Sequence, residues 1–333
     1  MGYAKARRVS FSEIPVIDLA PLRDGSGDGL AAVSRQVHEA ATSAGFFYIA
    51  NHRVPREVID AAHEASIRFF ALPHEEKLRV KIDDRHRGFI AIGEAKMYDD
   101  ANVDLKESFT WGLELPADDP DVAAGKPLMG PNNWPDFMPE LGTALYPYYE
   151  AVLACGNDLL RAFAVGLGLP QAFFLEKYEK PLARASILYY PPQPADLGPS
   201  QFGVAPHTDY GCITILWQDG SGGLQVRNRE GEWIAAPPID DTFVINIGDL
   251  MARWTNGLFA STPHRVVNRS GRARYSMAVS FDPNFDAVVS CPESLHSGRD
   301  PTRYQPVTCG EYVLSRFNDV FAYRKETARG DTG

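Results

Sequence analysis

The spacing of hydrophobic residues changes along the chain and divides it into two regions. In the first third, short β-prone runs alternate with stretches in which apolar residues recur every three or four positions, the spacing of one helix face. Residues 14–19 and 45–50 are predicted strands, and residues 30–44 and 55–72 are predicted helices. A glycine and a proline directly follow the two helices, and both residue types end helices. This alternation predicts an α/β region that covers the remainder of the protein.

The pattern weakens in the middle of the chain. Between residues 83 and 133 it is interrupted by acidic, glycine and proline residues, most densely at 116–127, and these stretches are predicted to be loops. A long helix is predicted at 139–167, where Leu, Ala, Tyr and Phe recur at helical spacing. So many apolar positions indicate a buried helix that braces the segment after it.

From about residue 183 the chain consists of short β-prone runs separated by turn residues. The predicted strands are 185–190, 212–217, 223–226, 233–235, 242–247, 265–268 and 275–281. Such strands are typical of a sandwich or jelly roll, and residues 316–323 are predicted to form part of a closing helix. We therefore expect a mixed α/β protein with an N-terminal α/β cover region at 1–135. A jelly-roll core with its bracing and closing helices would follow at 136–333.

Composition and charge narrow the function. The 333 residues are 44% hydrophobic and 23% charged, as in an ordinary globular protein that buries a core. A formal net charge of −10 argues against a nucleic-acid or anionic-membrane partner, since both would require a basic surface. A small-molecule partner fits better. Because no run of 18 apolar residues occurs, we expect a cytoplasmic protein without a membrane segment, and a monomer is the simplest oligomeric state.

The four cysteines give no sign of a zinc ribbon or a dithiol redox motif. They are widely spaced, without a Cys-x-x-Cys pair, at Cys155, Cys212, Cys291 and Cys309. We expect reduced and mostly buried thiols.

The candidate chemistry begins in a short segment ahead of the predicted strand at 212–217. Side chains alternate faces in an extended chain, so His207 and Asp209 project to the same side and can reach one ion together. An imidazole and a carboxylate suit iron(II) better than a thiolate-rich set would. A second histidine would complete a facial triad, which leaves positions open for oxygen and a co-substrate.

His264 is the candidate for the third ligand. Among the other histidines, it alone lies in the β-rich half on a segment, 261–267, that is typical of a loop entering a strand. The His-x-Glu at 74–76 has the same spacing as His207 and Asp209 but lies in a helix-like segment. Residues at i and i+2 of a helix point about 200° apart, so those side chains cannot share an ion. Taken alone, the pair at 207 and 209 could equally be hydrogen-bonded residues at a strand end.

A second pair of polar residues follows His264. Arg274 and Ser276 are again at i and i+2, on one face of a predicted strand. A guanidinium forks onto a carboxylate with two parallel hydrogen bonds, and a neighbouring hydroxyl can add a third. The pair is a candidate anchor for a dicarboxylate, although a single Arg-x-Ser by itself is more often part of a solvated strand surface.

Together these features resemble the isopenicillin N synthase-like branch of the iron(II) and 2-oxoglutarate-dependent dioxygenases. The resemblance extends over most of the chain, in segments that keep one order. They are IPVIDL (14–19), GFFY (45–48), YYPP (189–192), HTD (207–209), GLQV (223–226), NIGD (246–249), TNG (255–257), HRV (264–266) and RYS (274–276). So many short matches in one order are specific.

The resemblance implies a double-stranded β-helix core flanked by helices, with iron at its mouth. It assigns His207, Asp209 and His264 as iron ligands and catalytic residues, and it places Arg274, Ser276 and Tyr190 on the distal carboxylate of 2-oxoglutarate. Leu188 is a departure, because plant members often have Asn at that position. The implied activity is oxidation of a small molecule by hydroxylation, desaturation or cyclisation, using iron(II), 2-oxoglutarate and O2 and releasing succinate and CO2.

Two other functions stay open on the sequence. Isopenicillin N synthase and aminocyclopropane-carboxylate oxidase share the ligands and the Arg-x-Ser but do not consume 2-oxoglutarate. A jelly-roll binding protein would hold a ligand or a structural metal without turnover. In the enzyme, we expect the substrate pocket to be lined by a loop region at 89–109, by Tyr210 and by the wall around Phe281.

Overall fold

The structure of the protein, a computed structural model, describes residues 14–25, 27–94, 103–193, 201–296, 303–321 and 323–324. The N-terminal part alternates strands and helices. In chain order these are β1 (Val16–Asp18), α1 (Gly27–Ser43), β2 (Phe46–Ala50), α2 (Arg56–Phe70), α3 (His74–Leu78), β3 (Gly88–Ile90), β4 (Glu107–Gly112) and α4 (Pro120–Ala123). The long helix α5 (Glu140–Gly166) follows, as predicted.

The C-terminal part is mainly β-structure. Its elements are β5 (Arg184–Tyr190), β6 (Val204–His207), β7 (Ile213–Gln218), β8 (Leu224–Arg227), β9 (Trp233–Ala235), β10 (Thr242–Ile247), α6 (Asp249–Trp254), β11 (His264–Val266), β12 (Arg274–Phe281), β13 (Val288–Val289), β14 (Val307–Thr308) and α7 (Cys309–Val320). The seven strands predicted in this half are confirmed, with bounds that differ by at most two residues.

Eight consecutive strands, β5 to β12, wind between two facing sheets. The larger sheet has the order β1-β2-β10-β7-β12-β5-β4-β3, and the smaller sheet has the order β6-β11-β8-β9. All pairs formed by these eight strands are antiparallel. This winding is the double-stranded β-helix, or jelly roll, that the resemblance implied.

The N-terminal strands extend the larger sheet at both edges. At one edge β2 pairs with β10, and at the other β4 pairs with β5. The prediction of loops between 83 and 133 is therefore wrong for β3 and β4. All six residues of β4 are buried, but Ser108 and Thr110 face a cavity, so their polarity hid the strand in the sequence. Because both regions share one sheet, the boundary between 1–135 and 136–333 stays a prediction.

Side-chain alternation on β5 and β12 separates this cavity from the main hydrophobic core. Even-numbered residues of both strands line the cavity between the sheets. Odd-numbered residues point to the opposite face, and they include the buried Ala185, Ile187, Met277 and Val279. Helix α5 contacts β12 on that outer face and also packs against α1 and α2. The bracing role predicted for the long helix is confirmed.

The closing helix includes residues 316–320 of the predicted part and begins seven residues before it. α7 begins at Cys309 because Thr308 and Glu311 form a capping box ahead of it. The Thr308 hydroxyl accepts a hydrogen bond from the Glu311 backbone N–H, and the Glu311 carboxylate accepts one from the Thr308 backbone N–H. The Thr-x-x-Glu spacing is the sequence signal for this start.

The expectations about cysteines and membrane segments can be compared with the structure directly. All four cysteines are free, and Cys155, Cys212 and Cys309 are buried, as predicted. Across the part of the chain that the structure describes, no helix combines the length and apolar character needed to cross a membrane.

A buried ion pair connects α3 to the edge of the larger sheet. Lys77 Nζ lies 2.5 Å from a carboxylate oxygen of Glu107, and the two side chains are only 6% and 11% exposed. Lys77 also donates to the carbonyl of Phe70 at the end of α2. Breaking such a pair leaves an uncompensated charge in the interior, which is costly. The pair therefore fixes α2 and α3 against β4.

We expect Lys77→Met to lower the free energy of unfolding by about 3 kcal/mol, because Glu107 would be left buried and unpaired. Chemical denaturation measures this change. Arg79→Met is the matched control, since its partner Glu76 is exposed and such pairs contribute less than about 1 kcal/mol. Adding Glu107→Leu to Lys77→Met should restore most of the loss. Equal losses in the Lys77 and Arg79 variants would contradict this role.

Candidate active site

The three predicted metal ligands lie together at one end of the strand pair β6–β11. His207 is the last residue of β6, and it faces His264, the first residue of β11, in the register of the two strands. Asp209 follows two residues after His207. One Asp209 oxygen, Oδ1, lies 3.7 Å from His207 Nε2 and 3.8 Å from His264 Nε2. The three side chains form a group whose ligand atoms all lie within 4.8 Å of one another.

Backbone carbonyls orient both imidazoles. His207 Nδ1 lies 2.8 Å from the carbonyl of Ala205, and His264 Nδ1 lies 3.2 Å from the carbonyl of Thr262. A carbonyl can only accept, so each Nδ1 carries a proton, and each Nε2 is turned toward Asp209. Burial, together with the neighbouring His264, lowers the pKa of His207 to about 3. The His207 imidazole is therefore neutral, as a metal ligand must be.

Two hydrogen bonds fix the Asp209 carboxylate. The Thr214 hydroxyl and the Asn246 amide both donate to Oδ2, the second at 2.7 Å, and this leaves Oδ1 toward the histidines. Burial alone would raise the pKa of Asp209, but the two histidines and these two donors outweigh it and lower that pKa below its ordinary value. The site therefore presents one carboxylate oxygen and two imidazole nitrogens to a common point.

Asp249 holds the loop that carries Asp209 through a backbone hydrogen bond. Its backbone N–H donates to the Asp209 carbonyl at 2.8 Å. Its carboxylate accepts from Ser261 at 2.6 Å, ahead of β11, and more weakly from Tyr312 of α7 at 3.3 Å. The carboxylate of Asp249 thus connects the segment that leads into β11 to the closing helix.

The predicted Arg-x-Ser pair lies inside the same cavity. Arg274 is only 1% exposed, its Nε donates to the carbonyl of Gly222 at 2.6 Å, and its Nη1 donates to Ser276 Oγ at 3.0 Å. The guanidinium carbon lies 4.6 Å from the centre of the Tyr190 ring, which faces it across the β5–β12 pair. Leu188 lies opposite Ser276 in the same register, so an apolar side chain borders this end of the cavity.

The cavity extends from Arg274 past the triad to β4 and α7. It has a volume of about 230 Å³, and Tyr210 lines it, as predicted. The prediction for Phe281 itself is wrong, although its neighbour Ser280 lines the cavity. The prediction for the loop region at 89–109 is confirmed only for Lys106, and residues 95–102 of that region lie outside the described residues. Phe281 is an odd-numbered residue of β12, so its ring contacts Tyr178 and Gly156 on the outer face. Phe89 and Phe109 likewise belong to the main core, and the cavity is lined instead by polar residues of β4 and its approach, Lys106 and Thr110.

Sequence reasoning missed the residues that orient Asp209. Thr214 lies on the cavity face of β7, and Asn246 interrupts the apolar run that follows Thr242 in β10. A buried asparagine within the run Phe-Val-Ile-Asn-Ile is a signal that could have marked it, since buried amides require hydrogen-bond partners. Thr214 gave no such signal, because threonine is common in strands.

Comparisons with known proteins agree with this geometry. The family model described as non-haem dioxygenase in morphine synthesis N-terminal matches residues 14–137, and the model of the 2OG-Fe(II) oxygenase superfamily matches residues 182–283. A 2-oxoglutarate-Fe(II) type oxidoreductase of Emericella nidulans, hxnY, is 36% identical over 94% of this chain and 93% of its own length. The chain belongs to the isopenicillin N synthase-like 2-oxoglutarate and iron(II) oxygenases.

Solved structures of other oxygenases share the fold. A full-length Neurospora crassa protein in complex with alpha-KG, which is 2-oxoglutarate, superposes with a TM-score of 0.83 at 30% identity, covering 94% of this chain and 99% of the other. JOX2 in complex with 2OG, Fe and JA gives a TM-score of 0.77 at 28% identity, covering 96% and 91%. This oxygenase is therefore a 2-oxoglutarate-dependent dioxygenase that uses iron(II) and O2, and neither alternative considered from the sequence is supported.

We expect Gly248→Ala to destabilise the loop of this dioxygenase that carries Asp209. A Cβ at Gly248 would lie 2.2 Å from the carbonyl oxygen of Gly211 and 3.1 Å from that of Asp209, so the backbone would have to shift. The loss in unfolding free energy should be about 2 kcal/mol, the usual cost of overpacking. Gly220→Ala is the control, because nothing lies within 4 Å of the added atom. Thermal denaturation compares the two variants, and equal stability would show that the loop tolerates a side chain.

Proposed function

We propose that His207, Asp209 and His264 hold the iron(II) of this dioxygenase and act as its catalytic residues. The observation that carries the proposal is the convergence of Asp209 Oδ1 and the two Nε2 atoms at one wall of the cavity that also contains Arg274. Two imidazoles and one carboxylate fit iron(II), because the facial set leaves coordination positions open on the cavity side. The hydrogen bonds to both Nδ1 atoms and to Asp209 Oδ2 support the ligands from behind.

We also propose that Arg274, Ser276 and Tyr190 bind the distal carboxylate of 2-oxoglutarate. The Arg274 side chain is already held by Gly222 and Ser276, so little freedom would be lost on binding. Its Nη2 makes only a long contact of 3.4 Å with Gln218, which leaves it able to donate to an anion. A buried guanidinium binds a carboxylate more strongly than a solvated one, since less water competes.

The protein residues would position the reactants and exclude water. Iron(II) together with 2-oxoglutarate supplies oxygen activation, in which the co-substrate loses CO2 and becomes succinate while the substrate is oxidised. Leu188, Leu216, Leu224 and Val266 form an apolar wall between Arg274 and the triad. Such a wall keeps solvent from the bound co-substrate and strengthens its contact with Arg274.

We propose that the substrate is a small molecule that is hydroxylated, desaturated or cyclised, with no nucleic-acid or membrane partner. The acidic net charge of −10 and the cavity of about 230 Å³ support a small ligand. A cytoplasmic monomer is the corresponding proposal for location and assembly, and the four free cysteines support the location. Light scattering after size-exclusion chromatography tests the oligomeric state.

We expect the protein, with iron(II) and 2-oxoglutarate under anaerobic conditions, to show a weak visible charge-transfer band, and Asp209→Ala to abolish both the band and turnover. The variant removes the only charged ligand of the proposed site. Asp136→Ala is the control, because that carboxylate is exposed and lies outside the cavity lining. A visible spectrum and an iron titration make the comparison. If the Asp209 variant bound iron with wild-type affinity, the ligand assignment would be wrong.

Arg274→Ala should chiefly weaken the binding of 2-oxoglutarate. A lost hydrogen bond to a charged group costs about 1.5–3 kcal/mol, which raises the Kd roughly 10- to 100-fold. The Kd is obtained by titrating the visible band with 2-oxoglutarate. Arg272→Ala is the matched control, since this arginine is exposed two residues earlier. Wild-type dependence on the co-substrate in the Arg274 variant would refute the anchor.

A further inference from the structure

A second arginine lines the cavity at the end opposite to Arg274. The two strands β5 and β12 pair so that Arg274 faces Tyr190 and Ser280 faces Arg184. The two pairs are six residues apart along each strand, which corresponds to about 20 Å. Arg184 and Arg274 thus lie at different ends of one cavity, and a co-substrate held at Arg274 would not occupy Arg184.

Arg184 lies level with the triad. Across the larger sheet, Arg184 pairs with Ser280, Ser280 pairs with Thr214, and Thr214 pairs with Asn246. Thr214 and Asn246 are the two donors to Asp209. Two strand spacings separate the backbones of Arg184 and Thr214, which is about 10 Å. A small molecule could therefore contact Arg184 while one of its carbons lies next to the triad.

The Arg184 guanidinium is only partly satisfied. Its Nη2 donates to the buried Asp282 at 3.0 Å, but Nη1 is buried without a hydrogen-bond partner among the described residues. The whole residue is 7% exposed, so water satisfies little of the remaining donor capacity. An unpaired buried donor on a charged group is costly. In an active-site cavity, this cost is removed when a ligand accepts the hydrogen bond.

The charges around Arg184 favour an anionic acceptor. Lys106 is a second cation in the cavity lining, 3.4 Å from Asp104. Among the described residues that line the cavity, Asp209 is the only carboxylate, and it faces the proposed metal site. The hydroxyls of Thr110, Ser186 and Ser280 add neutral donors nearby. Arg184 and Lys106 each have a carboxylate partner outside the cavity lining, Asp282 and Asp104. What this end of the cavity lacks is an acceptor for Arg184 Nη1, which a carboxylate of a ligand would supply.

We propose that Arg184, assisted by Lys106, binds a carboxylate of the primary substrate, so that the dioxygenase acts on a small carboxylic acid. This inference rests on the proposed function, because the triad must be the reaction centre. Phe317 and Phe321 of the closing segment border the same end, and the Arg184 guanidinium carbon lies 5.0 Å from the centre of the Phe317 ring. The carboxylate would lie between these rings and the hydroxyls, with the carbon skeleton extending toward the triad.

The test compares acids with their uncharged counterparts. Phenylacetate, 3-phenylpropanoate and hexanoate are each titrated against the protein, as are their primary amides, by isothermal calorimetry. Iron(II) and saturating 2-oxoglutarate are present without oxygen, so that Arg274 is occupied and no turnover occurs. At least one acid should bind about tenfold or more tightly than its amide, the factor expected for a hydrogen bond to a charged group.

Variants assign the preference to Arg184. Because Arg184→Gln alone would leave Asp282 buried and unpaired, the double variant Arg184→Gln with Asp282→Asn is used, which keeps a neutral hydrogen-bonded pair. It should reduce the preference for the acid to less than about threefold, while Arg184→Lys should keep part of it. Arg161→Gln is the control, because that exposed arginine lies on α5 outside the cavity lining.

The visible band distinguishes a failure of the proposed function from a failure of the carboxylate proposal. If the wild-type band does not form, the proposed function is contradicted and this inference with it. If the band forms but the acids bind no more tightly than the amides, or none of the three acids binds at millimolar concentration, the carboxylate proposal is overturned. A preference that persists in the double variant would also overturn it, because the anion would then be bound elsewhere.

Discussion

The antiparallel pairing of β6 with β11 is the interaction on which the site depends. It places His207 opposite His264 and sets their imidazoles with ring centres 4.2 Å apart. Side chains of directly opposed residues lie close on one face of a sheet, so no additional loop is needed to bring them together. A shift of the register by one residue would turn one histidine to the other face. The positions of the two histidines of the proposed metal site are therefore set by strand pairing within the smaller sheet.

The larger sheet supplies a second constraint through side-chain alternation. On each strand that borders the cavity, the side chains of one face line the cavity and those of the other face pack in the core beneath α5. Arg274 and Ser276 can lie in an apolar interior because Met277 and Val279 on the other face supply burial for the same strand. Polar groups on the cavity face cost stability, and the packed outer face offsets that cost. Function and stability are thus divided between alternate residues of one strand.

Much of this arrangement could be predicted from the sequence, and the failures have physical causes. The proximity of His207 and Asp209 was predictable because spacing in an extended chain fixes the face of each side chain. His264 was predictable because it alone among the other histidines lies on a segment that enters a strand of the β-rich half. The spacing rule, applied from Arg274, would have placed Phe281 on the outer face, so that error was avoidable. The contacts of Thr214 and Asn246 with Asp209 could not be predicted, since they depend on which distant strands pair. β4 was missed because its cavity face is polar.

The extension of the larger sheet by the N-terminal strands limits how the protein can be divided. β2 covers the open side of β10, and β4 covers the open side of β5. A fragment trimmed to the jelly roll alone would present two bare strand edges, whose free N–H and C=O groups can recruit other chains. The segment before α5 therefore protects the jelly roll from aggregation. Fragments that lack this segment should aggregate.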